Sequence, residues 1–557
     1  MALPSEYAAT SASSLKMTRS GMVRTPRGAS RIRRLDGFDW AVLTVLTVLS
    51  IWVMVGFIVH QSPNAVWTGT DGPYVADQMN YLGWIAVSAR HVFISDPFTI
   101  GTSPSDYLHP GIFISGLLVR LGVTPGWAYL AWKPVAIVVL FAGSRRYVRA
   151  SLSGLWGRRI ALVLCLFYIS PAWVVATWLH LTHWAPISLL QSIDTEIWPG
   201  TYLWGYPFTA IAVGLLAFAL VAYERDRRTH KVGVVAPLLG FMCAWLQPWQ
   251  AATLIGIVVL SELILRLRGE RGYLALPLIM VAATAAPQVY YEILSRLDWT
   301  WAVADRTNLN LPPYLPWQAI LLSLAPLGIL AAFAYRPPEV NFSQLALRLW
   351  PVLALAQYAA IYFGRVGTFP LHSLDGLSIP FAVLAVVGAR RLGIALSKRA
   401  KVIAISVVLL VLIVPSAVQE LHAVWGVQST GILGPQPALI KPDEVDALQY
   451  LKNDPTLGGV LTPFYLGQTI PAETNRNTWL GALSWTPDFF TRLVAAGRLF
   501  SGDLAPNAAV AFVKSSGARF LLSDCNNHVD LSVALAPIVR SVHHFGCATV
   551  YEVKPGG

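Results

Sequence analysis

Residues able to do chemistry gather in the stretch Trp67-Thr68-Gly69-Thr70-Asp71-Gly72-Pro73-Tyr74, which runs on through Asp77 to Asp96-Pro97 and Asp106-Tyr107-Leu108-His109-Pro110. Gly-Pro after Asp71 tethers that carboxylate in a tight turn. Such a group can accept or orient the proton of an incoming hydroxyl while a leaving group departs on the opposite face. Asp-Gly-Pro is equally good helix-start chemistry, so Asp71 as base and Asp71 as cap both stand. Asp77 and Asp96 are weaker candidates for contacting a substrate, and Asp96 before Pro97 also reads as a turn initiator. His109 joins them as a candidate substrate contact.

A second constellation is spread over three later segments: His180-Leu181-Thr182-His183-Trp184 with Asp194-Thr195-Glu196, then Gln247-Pro248-Trp249-Gln250, then Arg365 through His372 to Asp375-Gly376. Glu196, Gln247, Trp249 and Asp375 are candidate substrate contacts. A guanidinium grips phosphate oxygens bidentately, and a neighbouring imidazole can share them, which makes Arg365 and His372 a candidate phosphate pair. Arg365 as an interfacial anchor is the competing reading. Lys133 lies inside an apolar run, where a cation either holds an anionic ligand or pairs with a buried acid; both options stay open. There is no HExxH, no zinc-spaced Cys pair and no EF-hand loop, so a divalent metal is not the favoured reading, and no cofactor is expected. His180 and His183 fit an aromatic belt around Trp178 and Trp184 better than a ligand set.

The elements that must position these groups follow from composition. Of 557 residues, 55% are apolar and 13% charged; soluble domains carry about 25% charged residues. So few charges cannot keep a soluble enzyme of this size wet, and disorder and a disulfide scaffold fail on the same composition. Apolar runs of spanning length, ~20 residues, begin near Phe38, Thr124, Gly157, Thr201, Val232, Ala251, Tyr273, Trp317, Leu349, Gly376 and Val402. They predict about eleven transmembrane helices between residues 38 and 418.

The net charge of +12 invites a nucleic-acid partner, but its distribution argues against one. Of the 41 Lys and Arg, 26 sit in the N-terminal tail and in every second connection, as in Arg145/Arg146/Arg149/Arg158/Arg159 and Arg390/Arg391/Lys398/Arg399/Lys401. The positive-inside rule then predicts a multi-pass protein of the plasma (inner) membrane with its N-terminus in the cytoplasm. Residues 1–37 read as a basic, disordered tail and the run from Phe38 as an uncleaved anchor. Residues 60–123 form a long first external loop, and residues 419–557 an extracytoplasmic α/β domain. In that domain Pro442–Leu451 has helical spacing, and short apolar runs follow at Gly459–Pro463, Arg519–Ser523 and Ala548–Val553. Cys525 and Cys547 both fall there, and an oxidising exterior would let them form a disulfide. Cys165 and Cys243 read as core residues. No Walker, Rossmann or Gly-x-Ser-x-Gly motif occurs, which disfavours a nucleotide-driven pump and a serine hydrolase.

This layout resembles the polytopic GT-C glycosyltransferases. Thr70-Asp71-Gly72-Pro73-Tyr74, the run Leu374-Asp375-Gly376-Leu377-Ser378-Ile379-Pro380, Leu483-Ser484-Trp485-Thr486-Pro487-Asp488-Phe489 and Gly546-Cys547-Ala548-Thr549-Val550-Tyr551-Glu552-Val553 are similar to a bacterial, largely actinobacterial, branch. The resemblance implies transfer of a sugar from a polyprenyl-phosphate donor to a cell-envelope glycan, lipid or protein at the bilayer surface. It implies Asp71 as the base of an inverting displacement, with Arg365, His372 or Lys133 on the leaving phosphate. Many members carry two adjacent acids where this chain has Asp71-Gly72. The rival readings are a transporter or flippase of lipid-linked saccharides, for which no internal repeat is evident, and a non-catalytic envelope-assembly protein.

Overall fold

The computed structural model describes residues 34–555 apart from 60, 73, 181–194, 271, 311–316, 338, 393–397 and 431–436. The tail up to residue 33, Pro73, His183 and Asp194 therefore lie outside the described residues.

Every one of the eleven apolar runs falls on a helix. Six helices among the described residues are long and apolar enough to cross a bilayer: Gly37–Val59, Pro125–Ser151, Pro207–Thr229, Pro248–Leu267, Phe342–Gly364 and Pro370–Arg391. Others are shorter, such as Leu155–Phe167, Val235–Leu246 and Trp317–Ala332. At 1.5 Å per residue a 12-residue helix reaches about 18 Å, well under the ~30 Å of hydrocarbon. The protein is a multi-pass helical membrane protein.

Apolar side chains give little drive for one helix to seek another in lipid, so close backbone approach matters more. Lys133–Ser151 packs on Pro207–Thr229 at such a place. A Cβ added to Gly143 would lie 2.4 Å from the Gly214 carbonyl oxygen, and one added to Gly214 would lie 2.6 Å from that of Val139.

The first loop folds into two helices, Val75–Ser88 and Pro110–Arg120, which pack on each other. Its opening strand β1 (Val66–Trp67) pairs antiparallel with β2 (Leu439–Ile440), tying the loop to the C-terminal region. The C-terminal sheet has the order β3-β4-β6-β5, with β3 (Val460–Leu461) parallel to β4 (Phe520–Ser523) and β6 (Ala548–Val553) antiparallel to β4 and to β5 (Val539–Phe545). Alternation along a strand sends neighbours to opposite faces. Leu461, Leu521 and Tyr551 accordingly join one core, and Val460, Phe520, Leu522 and Val550 the other.

Pro442–Asn453 lies against the second of these cores. Its first-turn acids do more than begin the helix. Glu444 Oε2 accepts from the Lys441 N–H (2.9 Å) and Glu444 Oε1 from that of Cys525 (3.0 Å), while Asp443 Oδ2 accepts from the Cys547 N–H (2.9 Å). Cys525 and Cys547 are disulfide-bonded; Cys165 and Cys243 are buried thiols.

Gly214→Ala should cost about 1–3 kcal/mol, because two backbones must separate to admit a methyl group. Gly328→Ala meets no atom within 4 Å and should be neutral or stabilising. Thermal unfolding of the two purified variants in detergent checks both.

Candidate active site

Asp71 sits in a turn that only a small residue could close. Gly72 has φ +76°, and a Cβ there would come within 2.1 Å of the Trp204 carbonyl oxygen. Gln78, on the first turn of Val75–Ser88, clasps the Asp71 backbone from both sides: its Oε1 accepts from the Asp71 N–H at 2.7 Å, and its Nε2 donates to the Asp71 carbonyl. The cap position of that helix is Tyr74, with no side-chain cap bond. Asp71 therefore does not serve as the cap.

The Asp71 carboxylate is 1% exposed. Its Oδ2 pairs with Nζ of Lys133, which also donates to the carbonyls of Ser50 (2.7 Å) and Leu203 (2.5 Å). Three donors meet three acceptors, as a buried ammonium requires. Asp71 Oδ1 is buried with no hydrogen-bond partner among the described residues. Burial pushes the Asp71 carboxyl above its ordinary range, opposed by the charge of Lys133.

An apolar groove of about 340 Å³ lies along the first helix. It is lined by Ala41, Val45 and Leu49 of that helix together with Phe167, Trp204 and Ile413. Its lining residues Leu49 and Trp204 are the chain neighbours of Ser50 and Leu203, whose carbonyls hold Lys133. Trp204 Nε1 donates to the Leu49 carbonyl at 2.7 Å.

Next to the sealed pair lies a more open set of polar groups. Asp77 stays open to solvent although protein surrounds it, and Tyr206 donates to its Oδ2. The enclosing protein raises the Asp77 carboxyl, and the Tyr206 hydrogen bond opposes that shift. His372 Nδ1 is 3.4 Å from Glu196 Oε2 and 4.0 Å from Asp375 Oδ1. Asp375, fully buried, accepts from Gln247 Nε2 at 2.9 Å. Gln247 is extended backbone between Val235–Leu246 and Pro248–Leu267, so its side chain turns inward at a chain break. Trp249 packs edge-on against His372, with ring centroids 4.7 Å apart. The donor atoms of Glu196, His372 and Asp375 all lie within 4.8 Å of one another, making these three the residues that could hold a divalent cation.

The remaining candidates fall elsewhere. Arg365 is exposed at the left-handed end of Phe342–Gly364. His109 caps Pro110–Arg120 through Nδ1, which accepts from the Ile112 N–H at 3.3 Å, and burial pushes the imidazole down to about 4. Asp96 Oδ1 accepts from the Phe98 N–H at 2.9 Å, and Thr478 of the C-terminal region donates its N–H to the adjoining Pro97 carbonyl at 2.9 Å. Gln78, Tyr206, Tyr202 and the carbonyls of Ser50 and Leu203 belong to the site but carry no motif that sequence reading could have picked out. Trp485, inside the run Leu483–Phe489 singled out in the sequence, belongs here as well. Its ring meets Trp84 at 4.8 Å and Trp301 at 5.1 Å, joining the C-terminal region to the first loop through an aromatic wall.

No family model and no curated protein matches the sequence. Solved structures do match it in fold. The archaeal oligosaccharyltransferase AglB from Archaeoglobus fulgidus, in complex with an inhibitory peptide and a dolichol-phosphate, aligns with TM-score 0.52 at 12% identity over 90% of this chain and 71% of that one. The apo form of the Archaeoglobus fulgidus oligosaccharyltransferase aligns with TM-score 0.51 at 12% identity, over 89% and 71%. ArnT from Cupriavidus metallidurans, bound to undecaprenyl phosphate, aligns with TM-score 0.47 at 12% identity, over 94% and 99%.

Two outcomes follow from this geometry. Lys133→Met strands a buried carboxylate and should cost about 3–5 kcal/mol, whereas Asp71→Asn/Lys133→Met should recover most of that loss; a double-mutant cycle on detergent melting temperatures measures it. Burial pushes the Asp96 carboxyl up to about 7, against an ordinary value of 3.8. Between those values the folded chain holds more protons than the unfolded one, so this group's contribution to stability falls as pH rises from about 4 to about 7 and levels off above. Asp96→Asn should therefore melt higher than wild type at pH 8 and alike at pH 4, provided the Phe98 bond is kept.

With its helical membrane body, helical first loop and small C-terminal sheet, the chain shares the fold of the Archaeoglobus fulgidus oligosaccharyltransferase.

Proposed function

We propose that this chain is a glycosyltransferase that moves a sugar from a polyprenyl-phosphate donor to a cell-envelope acceptor, by inverting displacement on the outer face of the plasma membrane. The observation that carries the reading is the buried Asp71–Lys133 pair, held by the chain neighbours of two groove-lining residues, within a fold shared with AglB. The complex of AglB with dolichol-phosphate supports a lipid-phosphate donor.

In this reading the prenyl chain lies in the groove, and the donor phosphate arrives beside Lys133. The ammonium exchanges Asp71 for the phosphate, so one cation serves first the carboxylate and then the leaving group. The released carboxylate, its basicity raised by burial, takes the proton of the acceptor hydroxyl. The acceptor oxygen bonds to the anomeric carbon as the carbon–oxygen bond to phosphate breaks, and the electron pair leaves on polyprenyl phosphate. No nucleotide is needed, because the sugar–phosphate bond supplies the driving force. Asp77, Glu196, Gln247 and Trp249 hold sugar or acceptor hydroxyls, Asp375 fixes the Gln247 amide, and His372 donates a hydrogen bond to the departing phosphate.

The test is turnover in reconstituted vesicles with a panel of polyprenyl-phosphate sugars and a mixed envelope extract, read as release of polyprenyl phosphate by mass spectrometry. Asp71→Asn should lower kcat on the order of a hundredfold or more while remaining folded, and Asp77→Asn should act mainly on KM. Full activity of Asp71→Asn removes it as the base. No release from any donor, together with passage of labelled lipid-linked saccharide across the vesicle, replaces the transferase with a transporter.

A further inference from the structure

The far end of the same two helices carries a second polar site. Lys133 opens its helix, and Arg145 and Arg149 lie in that helix's last turns. Sixteen residues separate Lys133 from Arg149, about 24 Å along the axis. There a cavity of about 210 Å³ is lined by Arg34, Arg145, Arg149, Arg158 and Arg159. They face only two carboxylates, Asp36 and Asp39, a formal excess of three positive charges.

The acids are already committed. Asp39 is 3% exposed and its Oδ2 accepts from both Arg145 and Arg149, each at 2.7 Å. Asp36 stands 3.6 Å from Arg159. Arg34 and Arg158 have no ion-pair partner among the described residues, and Arg159 Nε is buried there without a hydrogen-bond partner. Arg159 is also held flat, its guanidinium 4.9 Å from the centre of the Phe38 ring. This is a built concavity rather than a scatter of surface charge.

We infer that this cavity binds the phosphodiester headgroup of an anionic phospholipid. Guanidinium groups converging on one space recognise phosphate oxygens in bidentate fashion. The depth of the site supplies the second half of the argument. Trp40 and Trp156 are 56% and 65% exposed beside it, and Leu155 is 52% exposed. Exposed tryptophans at the ends of apolar helices sit at headgroup level, so a ligand entering here comes from the bilayer. Leu162 and Val148 line the cavity's inner wall, against which the glycerol and upper acyl carbons would rest. Basic pockets between spanning helices suit such headgroups.

The test uses the purified full chain and native mass spectrometry with dioleoyl phosphatidylglycerol, dioleoyl phosphatidylcholine and inorganic phosphate, offered separately and in competition. Phosphatidylglycerol should be retained in preference to phosphatidylcholine, with retention falling as ionic strength rises. Arg34→Gln and Arg158→Gln should each weaken retention about fivefold and together about thirtyfold. Arg34→Gln removes no ion pair among the described residues and should leave the melting temperature unchanged, whereas Arg158→Gln also gives up the Arg158 Nε bond to the Leu152 carbonyl; Arg158→Lys should keep the lipid and guards against a folding artefact. Equal retention of the two phospholipids, or retention by the double variant equal to wild type, overturns the site. Displacement of phosphatidylglycerol by an equal concentration of inorganic phosphate overturns the lipid as its source. Turnover of the sugar donor is not part of the readout, so the outcome is independent of the proposed transferase activity.

Discussion

An ammonium and a carboxylate taken out of water together constrain everything around them. Desolvating each ion costs several kcal/mol, and attraction between them offsets that only when the leftover protons and lone pairs are satisfied. Lys133 meets the condition by placing its remaining protons on the carbonyls of Ser50 and Leu203. The first helix, the Lys133 helix, the turn at Thr201–Trp204 and the first loop must therefore meet at one point. Gly72 is needed so that the Asp71 turn can pass under Trp204, and Gln78 is needed so that the turn cannot rotate. Asp71 meets the condition only in part, since its Oδ1 is left without a partner among the described residues. That oxygen is where a proton would bring most relief.

The acids around this pair divide by access rather than by sequence. Asp71 and Asp375 are sealed, whereas Asp77, Glu196 and His372 keep part of their surface in solvent. Asp77 and Gln78 are consecutive, so one helical turn presents a carboxylate to the open side and a clasping amide to the sealed side. A displacement needs both environments: hydroxyl groups have to enter through water, and the charges that change in the reaction act most strongly where water is excluded. The aromatic wall joining Trp84, Trp301 and Trp485 makes the C-terminal region part of this arrangement.

How much of this could be read from sequence depends on what each feature writes into side chains. The eleven apolar runs could be read, and all lie on helices, because burial in lipid shows directly as hydropathy. Helix length could not: Leu155–Phe167 is 13 residues because extended backbone at Tyr168, not a change of polarity, ends it. Strands β3, β4 and β6 showed as short apolar runs. β5, Val-Arg-Ser-Val-His-His-Phe, did not, since it is an edge strand whose residues are nowhere fully buried. Asp71 stood out by its turn, and Lys133 by being a cation in an apolar run, but 62 residues separate them and nothing local joins the two. The carbonyls that complete the Lys133 shell have no side-chain signature at all.

The groove adds a last constraint, because it follows the first helix from Ala41, two residues past Asp39, to Leu49, next to Ser50. The groove-lining stretch of the first helix thus lies between Asp39, which lines the arginine cavity, and Ser50, whose carbonyl holds Lys133. A hydrocarbon chain lying along that stretch would have no means of choosing a direction. The choice falls to the headgroup, and the two ends treat it differently. At the arginine cavity a phosphate meets cations left over after Asp36 and Asp39 have been served, so it binds by simple addition. At Lys133 it meets a cation with its hydrogen bonds already full, so it can enter only by replacing Asp71. An ordinary lipid phosphate, with nothing to gain from that exchange, is favoured at the cationic end. A phosphate that becomes a leaving group gains negative charge as the reaction proceeds, and only then does the exchange with Asp71 become favourable.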